Sequence, residues 1–403
     1  MNETRAPSRR AMLLVAPHRG MFFLGMLQCV LVMLPWWVEM ILRAAGQGLA
    51  WPWPAPWWHA VMLLYGVFPF FVFGFLLTAM PRWQSHGDLA PSRYVWCWAV
   101  LVAGWGLIYA AFLWPLLRIP GVVLVGAGWA GVCAVLFPVM RRPGRGRLHA
   151  VPVWAALCAG LAGWSCVLML ALGGDGRWAA WAIDLGLWAC LLPIFLSVCH
   201  RMVPFFSSSV LPDYTMVRPA WALWVLVAGS VLHGALNRLG LAELTWLVDL
   251  PMAAVGGWLT VSWQLRRSFA VRLLAMLHVG FAWFGVAMAL FGVQSLLAFF
   301  GVSALGLAPL HVLVIGMFTV LALGMVSRVT LGHSGAALKA DGLTWALSWA
   351  VQGVLLLRVA AELLPGAPLW LVFAATGWLC VFVLWTLRYL PVYLRPRVDG
   401  RDG

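Results

Sequence analysis

The chain has 403 residues, of which 64% are hydrophobic and only 9% charged, with a formal net charge of +14. A soluble domain carries about 25% charged residues. This shortage, with a mean hydropathy of +0.94, excludes a soluble globule and predicts an all-α polytopic membrane protein. The excess of positive charge lies in short connections between apolar runs, which explains it better than a nucleic-acid partner does.

About twelve transmembrane helices are predicted, at roughly 21–42, 57–80, 94–114, 120–140, 150–172, 178–199, 220–238, 244–263, 273–297, 309–327, 343–363 and 368–390. Pro and Gly mark many of the breaks, among them Pro52, Pro54, Pro56, Pro81, Pro120, Pro143, Pro219 and Gly366. The connections are short and no internal repeat is evident. The reading is therefore a single integral membrane domain over 1–403, with short tails at 1–20 and 391–403. The basic start, followed by a run long enough to span, predicts no cleaved signal.

Arginine placement predicts the orientation. With both termini in the cytoplasm, 21 of the 26 Lys and Arg residues fall inside. Only Arg43, Arg118, Arg177, Arg238 and Arg358 fall outside. Such a bias follows the positive-inside rule and places both tails in the cytoplasm. The eight cysteines include no CxxC pair, and most lie in apolar runs, where they read as packing residues.

Nine histidines is a large number for so apolar a chain, and histidine is a common metal and haem ligand. They sort by depth. His59, His233 and His311 fall toward the outer face. His18, His86, His149, His200, His278 and His333 fall toward the inner face. His86 and His149 read as loop residues. His233, near Asn237 and Arg238, reads as interfacial. His278 and His311 stand in apolar surroundings without a nearby charge, where an ionisable group suggests function. The stretch from His311 to Gly335 sets a limit on any site. At ~1.5 Å per residue, His311 and His333 are roughly 33 Å apart along one helix, about a bilayer's hydrocarbon thickness. They cannot serve one metal.

Glu39, Asp184 and Asp249 fall in the outer half. They are read as partners for arginines such as Arg43 or Arg177, as supports for a ligating imidazole, or as proton carriers. Met317 and Met325 read as core before copper ligands. Many of the 28 tryptophans read as interfacial belts.

Four segments carry a family resemblance: APHRGMFFLG at 16–25; HAVMLLYGVFPFFVFGFLLTAMPRW at 59–83; HRMVPFFSSS at 200–209; and LHVGFAW at 277–283 followed by PLHVLVIGMFTVLALGMVSRVTLGHSG at 309–335. In these the chain resembles the NnrS family of bacterial inner-membrane proteins. The resemblance implies haem and copper as cofactors, nitric oxide as ligand, and a part in nitric oxide metabolism, denitrification and tolerance of nitrosative stress. Its histidines fall on His18, His59, His278, His311 and His333, and it leaves His200 open. HAVM stands where some relatives have HxHEM, and Ala336 and Ala337 follow GHSG where a basic residue is common.

Depth then divides the candidates. His59 and His311 form an outer site, read as a haem iron held from two helices. His18, His278 and His333 form an inner site for copper or a second haem. Arg328, Arg82 and Arg201 are the candidates for haem propionates, by charge-assisted hydrogen bonds, beside their reading as positive-inside charges. Lipid surrounds the chain, and respiratory or denitrification partners are implied. Enzymatic turnover stays open, since no CxxCH haem attachment motif and no recognisable quinone site are present. Two other functions are compatible with the sequence. One is transport of a metal, haem or small solute; the other is assembly of a respiratory complex.

Overall fold

The computed structural model describes residues 9–144 and 146–399. Arg5, Arg145 and Arg401, counted in the charge bias, lie outside them. Among the described residues, twelve helices are long and apolar enough to cross a membrane: Pro17–Ala44, Ala55–Trp83, Pro91–Ala110, Pro115–Arg141, Arg147–Ala171, Gly176–Ser208, Ala220–Arg238, Ala242–Ser262, Arg272–Phe299, Ala308–His333, Gly342–Leu363 and Ala367–Tyr393. No strand occurs among the described residues. The chain is a multi-pass helical membrane protein, because helices satisfy every backbone hydrogen bond within themselves and lipid offers no substitute.

The observed helices extend beyond several predicted ends. His18 and His333 are therefore helical residues, close behind Pro17 and at the last position of the tenth span. Prolines open several spans in their first turn, as Pro17, Pro56, Pro91 and Pro368 do, where a missing N–H costs nothing. Gly366, at φ 85°, makes the tight link between the last two spans.

The eleventh span is capped by Asp341, whose carboxylate accepts from the Thr344 N–H at 2.8 Å and pairs with Arg388 at 2.8 Å. Partial burial works to raise the Asp341 pKa, but hydrogen bonding by Thr344 and the Arg388 charge outweigh it and hold the carboxyl below its usual range. A depressed folded-state pKa means stability that is present above the ordinary carboxylate pKa and lost as pH falls through the lowered one. Thermal melts of an Asp341→Asn variant are therefore expected to depend less on pH across that acidic window than those of the parent.

The pattern of neighbours repeats every four spans. The first packs on the second, the fifth on the sixth and the ninth on the tenth. The third pairs with the fourth, the seventh with the eighth and the eleventh with the twelfth. The fourth then leans on the fifth, the eighth on the ninth, and the twelfth back on the first. This closes a ring of three four-span units that the sequence did not reveal. Arg19 helps to seal the ring, donating to the carbonyls of Tyr393 at 2.9 Å, Val392 at 3.3 Å and Arg395. Both described ends of the chain therefore meet on one face, here the termini face.

The second span of each unit lies at the centre. The second, sixth and tenth spans are the most buried of the twelve. Phe68, Phe195 and Phe318, one from each, touch one another with ring centroids 4.5–6.1 Å apart. Each of these spans also contains a π-helical segment: Met62–Val67, Leu185–Leu191 and Val312–Thr319. In two of them a proline follows at once, Pro69 and Pro193. A proline's ring and missing N–H disrupt the normal α spacing to the preceding turn, and the wider π turn accommodates this. Such turns are frequent at functional sites.

Small residues set the closest approaches. A Cβ on Gly160 would lie 2.4 Å from the Trp129 ring and 2.5 Å from the Cys190 sulfur. Trp129 and Cys190 are themselves fully buried. Gly160→Leu is expected to cost about 1–3 kcal/mol by overpacking, read as a lower unfolding midpoint in detergent.

Candidate functional site

On the face opposite the termini, His59 and His311 open the second and tenth spans. The two rings lie within electrostatic range of each other. Each is half-buried at the start of its span and keeps some accessible surface. His311 Nδ1 is 2.9 Å from the Leu307 carbonyl. Donation there fixes the tautomer and leaves the Nε2 lone pair available, as a ligating imidazole requires. The Leu307 N–H in turn donates to Glu362 at 3.2 Å, and Glu362 pairs with Arg358 at 2.7 Å. His59 stacks on Trp36, with centroids 4.1 Å apart and planes 23° apart. Its Nδ1 is buried without a partner. Arg358 lies beside both histidines. The π segment of the tenth span begins at the residue after His311, and that of the second begins three residues after His59.

On the termini face, His18 and His333 meet with ring centroids 4.3 Å apart. The His18 Nδ1 is buried and unpartnered. His278, grouped with them on depth alone, is elsewhere engaged: its Nε2 is 2.9 Å from the Ser207 hydroxyl oxygen. Ser207 already donates to the Val203 carbonyl, so it accepts from His278. Ser207 lies on the sixth span and His278 on the ninth, whereas His18 and His333 join the first span to the tenth. The expected trio is a pair plus one. Among the described residues, no group of three or more His, Cys, Asp or Glu side chains is arranged to hold a metal ion.

Arg82 and Arg328, named from sequence as propionate candidates at the inner face, lie at the termini face and not beside His59 and His311. They line a cavity of about 480 Å³ at the termini face, with His333 and Arg201 on its wall. Arg358 is the cation beside the far-face histidines.

Three polar groups, two of them buried, had been read differently from sequence. His149 is a helical residue, 1% exposed, rather than a loop residue. Its Nε2 lies 3.0 Å from His200 Nδ1, and His200 Nε2 donates to the Pro219 carbonyl at 3.1 Å. His233 is buried rather than interfacial: its Nδ1 is 2.6 Å from Asp249 Oδ1, and the ring stacks on Trp188 at 3.6 Å. Asp184 pairs with Arg238, neither with Arg43 nor with Arg177. Glu39 does take Arg43, at 2.6 Å, along with the Leu49 N–H and the Trp51 indole. The first two were missed because each partner lies on another span, 51 and 16 residues away in sequence. One signal was present: in each four-span unit the first span carries a histidine near the termini face, His18, His149 and His278.

The geometry thus holds a far-face pair of imidazoles from the second and tenth spans, and a termini-face pair beside a cationic cavity. No curated protein matches the chain. The family model described as NnrS protein matches residues 12–397, nearly the whole of it, and the chain belongs to the NnrS family.

Proposed function

We propose that this chain is a haem-binding membrane protein of the nitric oxide response, with haem held between His59 and His311. Family membership suggests the nitric oxide role. The observation that carries the haem reading is the far-face pair: two half-buried imidazoles from different spans that keep accessible surface, and a His311 tautomer fixed by Leu307. These residues fit the group. His59 and His311 would hold the iron through imidazole nitrogens, and Arg358 would supply positive charge for a propionate. Bound haem would supply an iron that changes oxidation state and, where one imidazole gives way, takes a diatomic ligand. The protein's own contribution is orientation. Glu362 fixes the Leu307 backbone, Leu307 fixes the His311 ring, and Trp36 backs His59.

The copper that the family resemblance implies has weaker support. His18 and His333 are the nearest donors to each other, but Arg19 and Arg82 lie beside them. Two imidazoles among guanidinium groups, with no third donor among the described residues, are a poor site for copper(II). Metal analysis of a His278→Ala, His333→Ala double variant is expected to give the same copper content as the parent protein. A clear loss of copper would restore those histidines as ligands.

The setting we assign is the bacterial inner membrane, with the termini face in the cytoplasm according to arginine placement. The deciding experiment is haem and metal analysis of detergent-purified protein, followed by optical spectra of the reduced form with and without nitric oxide. A Soret band that nitric oxide shifts supports the reading. Protein purified intact without haem, and unable to take it up, refutes it.

A further inference from the structure

The cavity at the termini face lies where the three central spans converge, and each contributes an arginine to its wall: Arg82 from the second, Arg201 from the sixth and Arg328 from the tenth. Arg218, in the connection after the sixth span, adds a fourth. Arg82 is exposed and pairs with Asp88 at 3.1 Å. The other three have no carboxylate partner and no hydrogen bond among the described residues. Arg328 is only 8% exposed, and its guanidinium lies 4.0 Å from the centre of the Phe206 ring. Arg201 lies over Trp83 at 5.0 Å. The Arg328 guanidinium keeps access to the cavity while the rest of its side chain is enclosed; partial loss of water without an anion is unfavourable, and aromatic faces offset only part of that. The positive-inside rule explains arginines at an interface. It does not explain one that is more than nine-tenths buried, unpaired and facing a cavity of about 480 Å³.

We propose that this cavity is a binding site for an oxyanion of the phosphate class, held by Arg328, Arg201 and Arg218 with Arg82 at the rim. Guanidinium groups match phosphate oxygens in a forked geometry. Arginines drawn from three separate spans surround such a group from several sides, as a tetrahedral anion needs. The volume admits more than a bare phosphate. Beyond Phe75, which also lines a narrow apolar cleft with Phe22, Phe71, Phe195 and Met325, the surroundings turn wholly apolar. The phosphate therefore belongs to a larger molecule, either a soluble organic phosphate or the headgroup of an anionic lipid. The site is distinct from the proposed haem site, which lies at the other end of the tenth span.

The test uses the full chain, haem-loaded as purified, in nanodiscs of zwitterionic lipid at low salt. Inorganic pyrophosphate is titrated by calorimetry. Saturable binding is expected. Losing two charge-assisted bonds in Arg328→Gln should weaken it at least about tenfold. Arg201→Gln should act in the same direction and guards against a folding defect in the more buried variant. Arg267→Gln, exposed and outside the cavity, should change nothing. The lipid arm uses native mass spectrometry of protein extracted from phosphatidylglycerol nanodiscs. A retained lipid that Arg328→Gln and Arg201→Gln release identifies a headgroup as the source. Pyrophosphate binding that phosphatidylglycerol leaves intact identifies a soluble one. Absence of binding in both arms, or binding that both variants leave unchanged, overturns the proposal.

Discussion

Glycine in place of His59 or of His311 is expected to remove a full equivalent of haem, with the Soret band lost and the protein still inserted and monodisperse. The effect should be large because each residue would supply one of only two imidazoles that hold the group, and they come from different spans. Neither imidazole is a structural tie. His311 makes one bond to its own helix, to Leu307, and His59 makes a stacking contact with Trp36. Removing either ring therefore opens space without breaking an inter-span hydrogen bond. Free imidazole added to the glycine variants should restore much of the band by occupying the vacated position. His333→Ala, at the opposite end of the tenth span, should retain haem. If both glycine variants keep full haem absorbance, the far-face assignment fails.

The largest stability effect is expected at Asp249. Its carboxylate is fully buried, bonded to His233 Nδ1 through one oxygen, and leaves the other oxygen without a partner. A buried acid–base pair inside a membrane has no water to fall back on. Asp249→Leu removes one member and strands the other, which costs about 3–5 kcal/mol where a buried pair is broken. His233→Phe combined with Asp249→Leu replaces both by apolar groups. It also keeps an aromatic ring against Trp188, which His233 now stacks on. The double variant should recover most of the lost stability. Unfolding midpoints of the two single variants and the double, in one detergent, give the coupling directly. A double variant as unstable as the sum of the singles would show that the pair is not a coupled unit.

Much of the architecture was legible because bilayer physics writes it into composition. Apolar runs near twenty residues gave the number of spans, and Pro56 marked a helix start. The separation of His311 from His333 followed from helix rise alone, and the two residues do join different partners, His59 and His18. Depth, however, is one coordinate. It put His278 level with His18 and His333, although His278 packs on the sixth span through Ser207. It could not distinguish the arginines of the termini-face cavity from ordinary interfacial charges either. Arg328 reads like Arg267 in sequence; only its burial between the sixth and tenth spans separates them.

The sequence by itself determined that this is a helical, multi-pass membrane protein of about twelve spans. It also determined that any histidine sites lie near one bilayer face or the other. Those properties depend on hydrophobicity and rise per residue, which are local. Tertiary structure alone decided which imidazoles face each other, that His233 meets Asp249, and that four-span units repeat around a central trio. Those facts depend on how spans far apart in the chain rotate and pack. An apolar helix surrounded by lipid and other apolar helices carries little periodic signal of which face turns inward. In the tenth span the π turn after His311 further alters the facing of every residue beyond it, including Arg328 and His333.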